Sequence, residues 1–244
     1  MQVSRASQMP ERKAPRENDP PDPASETWNR LPWRKLEKHC FRIQTRISQA
    51  SQRGTTRAVH KLQKLLLKAE AARLLAVRRV TQENQGKKTA GIDGVKSVRP
   101  QARFVMASPL PPKPWRHQTP KPVRRVWIPK PGKAERRPLG IPPMIERCQQ
   151  ALVKLALEPE WEAKFEANSY GFRPGRSCHD AKEAIFTALT GKPKFVFEAD
   201  IKGAFDHLKQ EAILEKLHTY PTLRKALKGW RKRRGHGGMH LLAN

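Results

Sequence analysis

The segment Lys194-Phe-Val-Phe-Glu-Ala-Asp-Ile-Lys-Gly-Ala-Phe-Asp-His-Leu holds the residues best suited to chemistry. A β-rich run delivers Asp200 at its end, Gly203 allows a tight bend, and Phe205 and Asp206 open a helix. A carboxylate at a strand end beside a glycine turn suits Mg²⁺, a hard cation that prefers oxygen ligands. The same position also suits a plain turn former, and Asp206 reads as a helix cap, not a ligand. The 8 histidines include no pair at metal-ligand spacing on a helix. Cys40, Cys148 and Cys178 form no C-x-x-C pair, so they read as three reduced thiols and not as a zinc site or a disulfide framework. The Gly171-Phe-Arg-Pro-Gly-Arg loop lacks the Gly-Lys-Ser/Thr ending of a phosphate-binding loop, and nucleotide hydrolysis is not supported.

The elements that must position these residues follow from periodicity. Trp33, Leu36, Cys40, Ile43 and Ile47 recur at three- and four-residue steps and predict an amphipathic helix. Gly54 follows, then a second helix is expected from about Thr56 to Val80. Its polar faces carry Lys61, Lys64, Lys68 and Arg73, among other cations. A solvated face is the ordinary role of such a stripe; the charge of the whole chain moves the reading toward RNA or DNA contact. Residues 107–143 contain 11 of the 22 prolines, which excludes long helices there. Two short extended segments flank a turn at Pro131-Gly132-Lys133, giving a hairpin with Lys130, Lys133, Arg136 and Arg137 at its tip. Helical periodicity returns from Ile145 to Phe165, with Pro159 expected to break or kink it. A loop spans Asn168 to Arg176, a helix Cys178 to Leu189, a strand Phe195 to Ile201, and a helix runs from Asp206 through Leu217.

The chain has 244 residues, 50 of them Lys or Arg and 22 Asp or Glu, for a formal charge of +28. The first 26 residues carry a net −1 and are rich in Pro, Ser and charge, so they read as a disordered leader. The remaining +29 calls for a polyanion, and a nucleic acid is the partner best able to match it. No apolar run approaches the roughly 18 to 20 residues of a bilayer helix, and the N-terminus has no hydrophobic signal region. A cytoplasmic protein of bacterial type, with no membrane partner, is the expectation.

Four segments occur in order: Ala90-Gly-Ile-Asp-Gly, then Arg125-Val-Trp-Ile-Pro-Lys-Pro-Gly-Lys-Ala-Glu-Arg-Arg-Pro-Leu-Gly-Ile-Pro, then Asn168-Ser-Tyr-Gly-Phe-Arg-Pro-Gly-Arg-Ser-Cys-His-Asp-Ala, then the Asp200 segment. Together they closely resemble the reverse transcriptases encoded by group II introns, also called intron maturases. The resemblance runs from about Trp28 to about Trp230. It implies an α+β fold: a helical N-terminal domain over 27–100, then the fingers and partial palm of a right-hand polymerase over 101–230, with an aberrant or disordered tail over 231–244.

The resemblance also implies roles. Asp200 matches the first catalytic aspartate and ligates Mg²⁺, with the carbonyl of Ile201 assisting. Phe205 matches the residue packed under the incoming sugar, which selects deoxynucleotides. Lys130 and Arg137 match the finger residues that hold the incoming triphosphate, and an ammonium and a planar guanidinium suit that ligand. Arg173 and Arg176 match contacts to template or nucleotide. The implied partners are intron RNA or template, a DNA primer and a dNTP. The sequence departs from the family in having no Asp-Asp dipeptide, whereas two-metal phosphoryl transfer needs several carboxylates. The expectation is an N-terminal portion, truncated before the family's Tyr-X-Asp-Asp hairpin, that binds RNA and does not polymerise alone. The alternatives are a non-catalytic, chaperone-like RNA-binding protein and one half of a split enzyme completed in trans by a C-terminal fragment.

Overall fold

The computed structural model describes residues 23–108, 110, 121–132, 134, 136–202 and 207–232. Most of the expected leader and tail, and the Gly203–Asp206 part of the Asp200 segment, lie outside these residues. The leader was expected to reach residue 26, but a short helix α1 (Pro23–Asn29) already occupies its end, and Glu26 pairs with Arg30 at 3.2 Å.

A helical body follows, made of α2 (Trp33–Gln52), α3 (Thr56–Lys68), α4 (Glu70–Arg78), α5 (Pro100–Ala107) and α6 (Met144–Glu162). The periodic positions Cys40, Ile43 and Ile47 of α2 are buried, together with Ala50. Trp28 is fully buried, donates through Nε1 to Gln82 Oε1 at 2.7 Å, and meets Trp33 and Phe104 edge to face. That aromatic cluster ties α1 to α2 and α5.

Two helix expectations need correction. The single helix from Thr56 to Val80 is broken at Ala69, whose ψ of 128° is extended. The break lets α4 bury Ala71, Ala72, Leu74, Ala76 and Val77 on more than one side, because α2, α3, α5 and α6 all contact it. Packing outweighs propensity here, since Ala69 is a strong helix former. After α4, residues Arg79–Glu83 form a π-helical turn and Gln85–Lys88 a 3₁₀ turn. The second correction concerns Pro159, which does not end α6. Proline has no N–H to offer the carbonyl four residues back, which is that of Leu155. Gln44 of α2 supplies the missing donor, its Nε2 lying 2.9 Å from Leu155 O.

Strands β1 (Arg124–Pro129) and β2 (Arg136–Ile141) pair antiparallel, with Arg124 opposite Ile141 and Pro129 opposite Arg136. Gly132 turns the chain at φ 69°. Ile141 at the base of this hairpin is buried, while Trp127 and Ile128 stay exposed. The junction to α6 is held by the Ala90-Gly-Ile-Asp-Gly segment. Asp93 Oδ2 accepts the backbone N–H of Met144 at 2.9 Å, satisfying a free donor of the first turn of α6. A Cβ on Gly91 would stand 2.6 Å from the carbonyl oxygen of Pro142. Gly91→Ala therefore forces backbone apart and is expected to lower the unfolding free energy by about 1–3 kcal/mol, read from a denaturant titration.

Helix α7 (Cys178–Leu189) opens on a capping box in which Ser177 and Asp180 bond each other reciprocally. No residue of α7 is buried. The strand expected over Phe195–Ile201 does not form: residues 193–200 are irregular, and Phe195, Val196, Phe197 and Ile201 are exposed. A strand needs a neighbour for its N–H and C=O groups, and among the described residues none pairs with this segment. His207 is helical, but Leu208 and Lys209 interrupt the expected helix and α8 (Gln210–Lys216) follows with no side-chain cap bond, while the expected cap Asp206 lies outside the described residues. Helix α9 (Pro221–Lys232) was not anticipated, although Pro221 in its first turn and apolar residues at helical spacing mark it. Leu223, Ala226, Leu227 and Trp230 of α9 join the same buried cluster as the helical body.

All three cysteines are free. Burial pushes the Cys40 thiol up to about 11 and Cys148 up to about 12, which keeps both protonated and unreactive. No helix among the described residues is long and apolar enough to cross a membrane.

Candidate nucleic-acid interface

The α2–α3 pair is built as an antiparallel hairpin around Gly54, which takes φ 68°, a conformation that favours glycine after a helix end. Val59, Gln63, Leu66 and Leu67 turn one side of α3 into the body. Lys61, Lys64 and Lys68, at i, i+3 and i+7, stay exposed on another side. The turn brings Arg46 of α2 and Arg53, which caps that helix, to the same place. These five cations line a cleft of about 610 Å³ whose remaining walls are Gln49, Ala50, Ala58, Leu62 and Leu65. No carboxylate lines it. Lys64 also lies over the ring of Tyr220 at 4.7 Å, where the chain enters α9.

A row of exposed cations across two helices, without counter-charge, can follow a line of phosphates. Lys61, Lys64 and Lys68 were legible from spacing. Arg46 and Arg53 were missed, because only the turn at Gly54 shows that their side of α2 faces α3.

Arg73 is placed elsewhere. Its Nη1 donates to Ala107 O and Ser108 O, both at 3.2 Å, so it closes the end of α5. Lys130 and Arg137 sit at the same end of the β hairpin, Lys130 half-buried and Arg137 exposed. Arg173 is turned inward: Nε meets both Glu162 carboxylate oxygens at 3.1 Å, and Nη2 meets Oε1 at 2.6 Å. Its Nη1 donates to Glu166 O at 2.7 Å and Ser169 O at 2.8 Å. Arg176 donates to Ala167 O at 2.6 Å and covers the Tyr170 ring at 5.2 Å. Asp200 and Ile201 are exposed on the irregular segment, and Phe205 lies outside the described residues.

A Mg²⁺ centre needs converging oxygen donors. Among the described residues no group of three or more His, Cys, Asp or Glu side chains comes together. Asp200 with the Ile201 carbonyl is too small a donor set for a two-metal site, and the residues described do not fit one.

Comparison with known proteins accounts for the ordered motifs. Residues 28–110 match the family described as the N-terminal domain of reverse transcriptase, and residues 128–239 match reverse transcriptase (RNA-dependent DNA polymerase). The group II intron-encoded protein LtrA of Lactococcus lactis is 43% identical over 95 residues, 39% of this chain and 16% of that protein. The chain belongs to the group II intron reverse transcriptase and maturase family. Protein YkfC of Escherichia coli K12 is 36% identical over 153 residues, covering 60% of this maturase-family chain and 38% of the relative. Maturase-like protein 1 of Euglena gracilis is 29% identical over 191 residues, covering 76% and 41% respectively. This family member therefore spans well under half the length of the relatives it matches.

Proposed function

We propose that this chain is an RNA-binding N-terminal part of a group II intron reverse transcriptase, and that by itself it binds intron RNA without polymerising. The observation that carries the reading is the α2–α3 cleft, with five cations and no carboxylate. Its shape and charge fit a phosphate backbone better than a base edge, so binding through it is governed by charge and shape, with sequence read elsewhere. In this reading the β1–β2 hairpin belongs to the fingers, and Lys130 and Arg137 await a triphosphate. Asp200, Ile201 and Phe205 belong to the palm, where Mg²⁺, a DNA primer and a dNTP would meet in the complete enzyme. Arg176 borders the template path, while Arg173 shapes the loop from inside.

A second reading rests on the exposed Phe195, Val196, Phe197 and Ile201. An unpaired apolar run suits β-pairing with a further part of the polymerase, supplied in trans by a C-terminal fragment. The deciding experiment is RNA binding across a salt series, paired with primer extension on an RNA template with dNTPs and Mg²⁺. The expected result is affinity that falls steeply with salt and no extension product. Template-directed synthesis by the purified chain, or RNA affinity indifferent to salt, overturns the proposal.

A further inference from the structure

The loop between α6 and α7 holds one residue in a conformation that its side chain does not favour. Phe172 has φ 58°, and a bulky residue with positive φ is a strained outlier. Phe172 is 83% exposed, so burial offsets little of that strain. Two anchors that follow Phe172 in the chain hold the loop in this conformation. Arg173, the next residue, is anchored on Glu162 and on the carbonyls of Glu166 and Ser169. Arg176 ties the far side to Ala167 O.

Two other aromatic rings near this loop each carry a guanidinium on one face: Arg173 over Phe165 at 5.4 Å, and Arg176 over Tyr170 at 5.2 Å. Phe172 alone of the three has no such cover among the described residues. Two nearby carboxylates are already spent, Glu162 on Arg173 and Asp180 on Ser177. Strain held rigidly at an exposed position, with nothing gained in folding, marks a residue kept for a ligand. An open aromatic face on a loop that carries two arginines is a surface on which an unstacked nucleobase can rest.

We infer that Phe172 is a stacking platform for an unpaired base of bound single-stranded RNA. The inference rests on the RNA-binding reading above and adds a contact to bases where the α2–α3 cleft contacts phosphates. The test uses the full chain and compares an oligoribonucleotide with its abasic counterpart of equal length. Phe172→Leu is expected to weaken the base-bearing strand about ten-fold and leave the abasic strand and the salt slope unchanged. Phe172→Trp is expected to keep or raise affinity. Phe172→Gly, which accepts the positive φ, is expected to raise the melting temperature while weakening the base-bearing strand as Phe172→Leu does. Opposite signs for stability and binding separate a ligand contact from a structural role. A wild-type chain that binds RNA with a steep salt dependence but loses nothing in Phe172→Leu, or loses equally on abasic RNA, overturns stacking alone. A wild-type chain that binds no RNA overturns the RNA-binding reading and the stacking with it.

Discussion

Replacing Lys61, Lys64 and Lys68 together by glutamine is expected to weaken the proposed RNA binding about a hundred- to a thousand-fold at 0.1 M salt. Each cation seated on a phosphate releases condensed counterion, and at that ionic strength the release is worth roughly a factor of ten per contact. The same triple variant lowers the slope of log affinity against log salt by about 2 to 3, near 0.7–0.9 for each lost contact. Folding is expected to hold, because all three side chains are exposed, the cleft has no carboxylate partner for them to lose, and the contact of Lys64 with the Tyr220 ring contributes only about 0.5–1 kcal/mol. Relief of repulsion among five clustered cations works in the same direction. Arg46→Gln with Arg53→Gln lowers the slope by about 1 to 2, which tests whether α2 and α3 form one seat. Arg73→Gln is the internal control. Its guanidinium serves Ala107 and Ser108 carbonyls, so that variant loses stability and keeps the wild-type salt slope. A triple variant with unchanged slope would remove the cleft as the RNA contact.

The contrast between Arg73 and Lys68 shows where reading the sequence stopped working. Both lay on one expected helix, and periodicity alone could not separate them. The extended residue Ala69 splits that helix, and α5 then captures the guanidinium. Local pattern sufficed where an element is specified by its own residues: the α2 stripe, the Pro131–Gly132 turn and the helix after Ser177. It failed where a distant group decides. Pro159 continues α6 because Gln44, far away in sequence, takes the carbonyl it frees. Arg173 reads from its motif as a nucleic-acid contact, but four of its five N–H groups are taken by Glu162, Glu166 and Ser169. The alternation of Phe195–Ile201 is a real β signal, yet a strand is a property of a pair and this segment has no described partner. The cleft emerged only once two helices were set side by side.

Arg147→Ala is expected to lower the unfolding free energy by about 3–4 kcal/mol, the largest loss from a single side chain considered for this fold. The sequence gives Arg147 no motif of its own. In the structure its Nε donates to Pro142 O at 2.8 Å, Nη1 to Gly86 O at 3.0 Å and Nη2 to Thr89 O at 2.8 Å. Three carbonyls from two separate segments thus converge on one planar fork, a geometry that lysine cannot reproduce. Burial draws the guanidinium pKa down and the nearby Asp93 carboxylate works against that shift, so the cation is held by its acceptors and by Asp93 together. Charged hydrogen bonds contribute about 1.5–3 kcal/mol each, and partial rehydration of the released carbonyls reduces the total for three. Arg147→Lys should recover at most one of them and lose about 2 kcal/mol. The consequence extends past stability, because Pro142 and Pro143 join β2 to α6 and so fix the hairpin that presents Lys130 and Arg137. Hydrogen exchange in β1 and β2 of Arg147→Lys should therefore quicken under conditions where α2 and α3 remain protected. If Arg147→Lys unfolds at the wild-type denaturant midpoint, the fork is dispensable and the hairpin must be held by the Gly91–Pro142 approach, the Asp93 cap and the bond from Lys121 N–H to Glu146.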